Sequence, residues 1–171
     1  KLYALDTFSG IYNRNGFIHA TESLYRDCVV NKRKIMLMFI DLDGLKKIND
    51  TFGHGVGDNA IFNIAEVLRT SCRSGEIYCR FGGDEFIVFG TDYTDEEAMK
   101  LKRRIQRNIS IINQKQKKPY KLSASAGYVI DTPKPDEDIF RFVTAADNVM
   151  YTEKRRKKLS RYLKKNDQGA D

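Results

Sequence analysis

Asp41, Asp84 and Glu85 are the residues of this chain whose types and placing invite chemistry. Asp41 follows an unbroken apolar run, Ile35–Met36–Leu37–Met38–Phe39–Ile40, while Asp84 and Glu85 follow Gly82–Gly83 between two shorter apolar runs. If those runs are neighbouring strands, the acids converge on one edge of a sheet. Two carboxylates about 4 Å apart repel by roughly 4 kcal/mol at an effective dielectric of 20, a sizeable part of a domain's net stability. A cation removes that conflict. Oxygen ligands with no His or Cys nearby select Mg2+ or Mn2+ over zinc, and such ions share their shell with water and substrate phosphates. The substrate class implied is a nucleotide.

The elements that must position these acids are legible from periodicity. The spacing of Phe17, Ile18, Leu24 and Cys28 predicts a helix from Asn13 to about Val30. The run Ile35–Ile40 has the length and continuity of a strand buried on both faces. A Gly-punctuated segment, Phe52 to Asp58, leads into a helix whose Ala60, Ile61, Ile64, Ala65 and Leu68 share one face. Strands around Ile77–Arg80 and Phe86–Phe89 flank the Gly82–Gly83–Asp84–Glu85 turn as a hairpin. A helix from about Asp95 to Ile112 and a strand from Leu122 to Ile130 follow. The last helix starts near Asp136–Asp138 with Ile139, Phe142, Val143, Ala146, Val149 and Met150 as its buried stripe, and Tyr151 reads as core. Strands alternating with helices, with one tight hairpin, predict an α/β or α+β sandwich on a partly antiparallel sheet.

With 171 residues, 41% of them apolar and 31% charged, the chain fits one soluble globular domain, and no apolar run approaches the roughly 20 residues of a membrane span. Lys1 stands where a methionine would start a complete protein, so a segment of a longer multidomain protein is expected. The net charge of +7 is local: Lys154 to Lys165 holds eight Lys or Arg and no acid, enough to account for the whole excess. That run reads as a solvated helix end or as a phosphate-binding face, and nucleic acid is not an expected partner. Cys28, Cys72 and Cys79 form no C-x-x-C pair, and His19 and His54 lie far apart in sequence, which sets a zinc site aside and fits reduced thiols in a cytosolic compartment.

Singly, each motif says little, since an Asp-x-Asp after a strand is often a solvated loop and a Gly-Gly-acid-acid turn is often only a hairpin. Together they say more. DLDGLKKIND (Asp41 to Asp50), TFGHGVGD (Thr51 to Asp58) and RFGGDEF (Arg80 to Phe86) occur in this order, preceded by DTFSGIYNR (Asp6 to Arg14) and followed by AADNVMYTEKRRKK (Ala145 to Lys158). In these motifs the chain resembles the GGDEF family of diguanylate cyclases over nearly its whole length. The resemblance implies a single catalytic domain across residues 1–171, with a basic tail from about residue 159. The implied fold is α+β, a central, mostly antiparallel five-stranded sheet surrounded by helices, similar to nucleotide cyclases and polymerase palms.

Carried over by position, Asp41, the carbonyl of Leu42 and Glu85 resemble the family's metal shell, which takes Mg2+ or Mn2+, two ions per site. Asp84 resembles the acid beside the attacking hydroxyl, and the roles of base and ligand stay open between Asp84 and Glu85. Asn49 and Asp58 resemble the guanine contacts, and Lys46, Lys154 and Lys158 the phosphate contacts. Gly82–Gly83 suits a close approach of backbone to phosphates. Structural readings stand beside these. Asn49 would cap or end a short helix, Asp58 would favour a helix N-terminus, His54 would be a turn residue, Arg80 would be a packing or ion-pair residue near the hairpin, and Arg155, Arg156 and Lys157 would be solvated. Chain-specific departures are Leu45 for the usual Phe, and Glu153 and Lys157 for the usual Ala and Gly. The family's inhibitory product site, R-x-x-D, is degenerate here as Arg73–Ser74–Gly75–Glu76.

The implied activity is condensation of two GTP into cyclic di-GMP with release of two pyrophosphates, by two copies of the domain facing each other in a transient homodimer. The competing reading is a regulatory module that binds GTP or cyclic di-GMP with little catalysis. An N-terminal sensor region is expected in the full-length protein, the domain itself is expected in the cytoplasm, and membrane attachment of the whole is left open.

Overall fold

The computed structural model describes residues 3–167, in the order α1 (Arg14–Val30), β1 (Ile35–Leu42), α2 (Leu45–Phe52), α3 (His54–Ser71), β2 (Ile77–Arg80), β3 (Glu85–Thr91), α4 (Asp95–Lys115), β4 (Ala124–Asp131) and α5 (Ile139–Asp167). Local chemistry fixes the helix starts. The Asn13 side chain accepts from the Gly16 amide at 2.8 Å and begins α1. Thr94 and Glu97 form a reciprocal capping box at α4, whose first turn also carries Asp95 and Glu96 against the helix dipole. Asp138 accepts from the Phe140 amide at 2.9 Å ahead of α5.

The strands form one antiparallel sheet in the order β2-β3-β1-β4. β1 lies inside it and is covered on both faces, which is why its sequence is continuously apolar rather than alternating. Met36, Met38, Ile40 and Leu42 pack with α3 and α4, whereas Ile35, Leu37 and Phe39 pack with α1 and α5. Alternate residues of one strand thus feed two separate cores.

Four strands, not five, make the sheet among the described residues. Outside β2 the chain forms a single parallel bridge, Tyr12 with Cys79, and the Tyr12 carbonyl accepts from the Arg80 amide at 2.9 Å. One residue later Asn13 turns the backbone into α1, so that edge never lengthens into a strand.

Other expectations also change. The Gly-punctuated segment is not a loop before a helix: α3 is helical from His54, and Asp58 therefore sits inside it rather than in its first turn. Asn49 lies within α2, a helix of eight residues, and not at its cap. On α5, Val149 and Tyr151 are 45% and 58% exposed, because Ala146, Met150 and Glu153 face the sheet and a helix turns about 100° per residue. Among the described residues no helix is long and apolar enough to cross a membrane.

Candidate active site

β1 and β3 bring the acids together. Asp41 stands directly opposite Glu85 in the ladder, so both side chains leave the same face of the sheet. The Leu42 amide donates to the Asp84 carbonyl at 2.9 Å, which puts the β1–β3 hydrogen bonds at Leu42 and leaves Asp41 and Glu85 as a non-hydrogen-bonded pair. Pairs of that kind have the closer side chains, with Cα atoms about 4.5 Å apart. In an extended strand the carbonyl points to the same side as the amide, so the Leu42 carbonyl also faces the hairpin.

The turn that carries Asp84 is tied down from outside. The Phe81 and Gly82 amides both donate to the Glu85 carbonyl, at 2.7 and 3.2 Å. Arg80 donates to the Gly83 carbonyl at 2.8 and 3.1 Å and pairs with Asp6 at 3.3 Å, while Asp6 accepts from the Ser9 amide and hydroxyl. Arg14, the first residue of α1, lies 4.6 Å over the Phe81 ring and opposes the charge of Glu85.

The electrostatics are those of a site short of positive charge. Burial, opposed by the hydrogen bond from Lys154 and reinforced by the charge of Asp84, leaves the Asp41 carboxyl raised to about 6. Burial, then Asp84 and Asp147, raise Glu85. Lys154, reaching from α5, donates to Asp41 Oδ2 at 2.6 Å, and Asp41 Oδ1 remains buried with no partner. A buried, partnerless carboxylate oxygen costs free energy that a bound cation would recover. Among the described residues no three His, Cys, Asp or Glu side chains cluster as a self-sufficient metal cage. Two carboxylates and a backbone carbonyl form an open, all-oxygen set, the kind that Mg2+ completes with water and phosphate.

A second feature lies beyond the strand ends. Asn49 Oδ1 is buried without a partner. Its amide rests against Gly57, where an added Cβ would stand 1.7 Å from Oδ1. The residue after Gly57 is Asp58, exposed on α3; Lys46 on α2 and Lys158 on α5 are exposed as well. The geometry thus joins Asp41, Asp84, Glu85 and Lys154 in one cluster and sets Asn49 against the helix turn that bears Asp58. Gly82 and Gly83 form the connecting turn.

Arg73 and Glu76 lie on the loop between α3 and β2, away from this cluster. The Glu76 carboxylate is already engaged, accepting from the Arg73 amide at 2.8 Å and from the Tyr93 hydroxyl.

The family model described as "Diguanylate cyclase, GGDEF domain" matches residues 3–160. The chain belongs to the GGDEF-domain diguanylate cyclase family. This GGDEF domain is 34% identical over 155 residues to the probable diguanylate cyclase DgcT of Escherichia coli, covering 87% of this chain and 33% of that protein. It is 34% identical over 160 residues to the E. coli diguanylate cyclase DgcP, covering 92% of this chain and 46% of that protein. The domain therefore spans less than half the length of these relatives. In fold it is similar to the coiled-coil and GGDEF segment of DgcB from Caulobacter crescentus, solved in complex with cyclic di-GMP, with a TM-score of 0.79 at 23% identity and coverage of 89% and 81% of the two chains.

Several residues of the GGDEF domain carry more than their sequence positions suggest. Lys157 is half-buried and its amine is engaged: it donates to Asp43 Oδ2 at 3.2 Å and to the Ala124 carbonyl at 2.6 Å. Asp43 also accepts from the Ser123 and Ser125 hydroxyls at 2.7 Å each. Burial would raise its carboxyl, yet these donors hold it below its ordinary value. Glu153 is 9% exposed and paired with Lys102. For Glu153 and Lys157 the signal was their departure from the usual Ala and Gly; Gly57 carried no signal of its own, because its segment reads as a Gly-punctuated loop.

Proposed function

We propose that this domain condenses two GTP molecules into cyclic di-GMP, releasing two pyrophosphates. The observation that carries the reading is the pairing of Asp41 with Glu85 across two strands, with Lys154 on one carboxylate oxygen and the other left orphaned. Membership of the diguanylate cyclase family supports it independently.

In this reading Asp41, the Leu42 carbonyl and Glu85 hold Mg2+ or Mn2+, two ions per site. The metal supplies neutralisation of triphosphate charge and a lower pKa for the attacking ribose hydroxyl. Lys46, Lys154 and Lys158 hold phosphate oxygens, and Lys154 leaves Asp41 as it does so. The amides and carbonyls of the Gly82–Gly83 turn border the phosphates. Asn49 and Asp58 accept from the N1–H and exocyclic amine of guanine, donors that adenine does not offer in that pattern. The 3′-oxygen of one GTP attacks the α-phosphorus of the other, the bond to the bridging β-oxygen breaks, and the hydroxyl proton passes to a carboxylate of the Asp84–Glu85 pair. A second, symmetric step closes the ring.

One domain supplies one set of these groups, so two copies face each other with a GTP each. A neighbouring N-terminal region of the full protein raises their effective concentration, toward the millimolar range of short linkers. The experiment is incubation of the purified domain with GTP and Mg2+, followed by chromatographic identification of the products. Cyclic di-GMP and pyrophosphate in a one-to-two ratio support the reading; intact GTP, or hydrolysis to GDP alone, overturns it.

A further inference from the structure

β4 is an edge strand, and the carboxyl-terminal half of its partner layer behaves like a missing neighbour. The Leu42 amide points to β3, so the facing residues Ala124 and Ala126 turn their amides and carbonyls away from β1, toward the open edge. Such groups need partners. Glu153 accepts from the Ala126 amide at 3.2 Å, and Lys157, one turn later on α5, donates to the Ala124 carbonyl at 2.6 Å. One acceptor and one donor, four residues apart on a helix, thus do for this edge what a fifth strand would do.

The approach begins at Gly127, where an added Cβ would stand 2.2 Å from the Met150 amide nitrogen and 2.6 Å from the Val149 carbonyl carbon. With backbone against backbone there, α5 runs down β4 and delivers Glu153, Lys154 and Lys157 in turn. Lys157 continues to Asp43, whose amide also donates to the Ser123 carbonyl at 2.8 Å. The far side of Glu153 is held by Lys102 of α4. Charges alternate along this chain of contacts: Lys102, Glu153, Lys157, Asp43. It ends in the segment Asp41–Asp43, and Lys154, between Glu153 and Lys157 on α5, reaches Asp41 of that segment.

We propose that Glu153 and Lys157 are positioning residues that lock α5 in register along the edge of β4 and thereby fix both the end of β1 from Asp41 to Asp43 and the place of Lys154 against Asp41. This lock bears on catalysis through the reading above that this end of β1 receives metal-bound GTP.

The test compares wild type with Lys157→Met, which keeps the apolar stem and removes the donor, and with Lys157→Arg, which restores a donor. Backbone amide exchange is followed by mass spectrometry on peptides spanning residues 41–45 and 123–127, beside turnover of GTP. In Lys157→Met, exchange in those two peptides rises roughly tenfold while peptides of α1 keep wild-type rates, as for a local opening. The turnover number falls by about 10- to 100-fold, as for loss of a group that orients a metal or phosphate ligand. Lys157→Arg recovers most of both effects. Uniformly faster exchange across the domain, with kcat unchanged, would reduce the pair to a stability device and overturn the proposal. Unchanged exchange in both peptides would overturn it as well. Should Lys157→Met unfold, Glu153→Gln keeps an acceptor for Ala126 but loses the charge, and the same local signature is expected. Should wild type make no cyclic dinucleotide, the catalytic reading fails while the exchange comparison still decides the lock.

Discussion

Replacing Gly57 by Ala separates stability from recognition, because the two effects have opposite signs. The new Cβ would stand 1.7 Å from Asn49 Oδ1 and 2.8 Å from its Cγ, so the Asn49 amide must swing away. That amide is the end of a flexible side chain, and the fold survives its rotation. Ala in a helix interior is favoured over Gly by about 1 kcal/mol, which for a domain of this size raises Tm by roughly 2–4 °C. The displaced amide leaves a guanine donor without its acceptor, at a cost of about 1–3 kcal/mol, or roughly 5- to 150-fold in affinity. Calorimetric melting and titrations with GTP and ATP read the two effects separately. Tm should hold or rise while GTP binding weakens and its preference over ATP shrinks. Asn49→Ala should give a similar loss, and the double variant no further loss, since both remove one contact. Unchanged GTP affinity in Gly57→Ala, or a Tm lower by more than about 5 °C, would refute the argument.

Asp41→Asn and Glu85→Gln should each lower turnover by about a hundredfold or more with the circular dichroism spectrum unchanged, and chelation of divalent ions should do the same reversibly; full activity in either variant removes the metal assignment. Product inhibition should be slight, because Glu76 is already bound to the Arg73 amide and the Tyr93 hydroxyl. Submicromolar inhibition by cyclic di-GMP that is lost in Arg73→Ala would contradict this. Burial would raise the Asp6 carboxyl, but hydrogen bonds from Ser9 and Arg80 hold it below its ordinary value, so its stabilising contribution is present above about pH 4 and is lost as pH falls through the folded-state value. Wild type should therefore melt above Asp6→Asn at neutral pH, with the gap closing as pH falls below the ordinary carboxylate range; a constant gap speaks against the ion pair.

Most of the scaffold was legible because it repeats. β1 is six apolar residues in a row, and the buried faces of α3 and α4 recur at helical spacing, so burial and sequence say the same thing. α2 was hidden because Ile48 is its one fully buried residue, in eight positions crowded with Lys46, Lys47, Asn49 and Asp50. The start of α3 was hidden by glycines that read as a loop, although Gly57 is there to admit Asn49. At the site, the juxtaposition of Asp41 with Glu85 followed from strand ends and a hairpin. The engagement of Lys157 and Glu153 did not. Periodicity places a residue on a face, but a long charged side chain reaches several ångströms beyond it, and a run of like charges conceals members such as Lys157 that turn inward.

The central claim is that two copies, each carrying a single GTP, perform the chemistry between them. The initial rate of cyclic di-GMP formation, measured at saturating GTP and Mg2+ over a range of domain concentrations, tests it most directly. At concentrations where sedimentation finds monomer, the rate should rise with roughly the square of domain concentration, and fusion of a parallel dimeric coiled coil before Lys1 should make it both higher and linear. A rate that is linear in monomer from nanomolar to micromolar, with no gain from the fusion, would contradict the account.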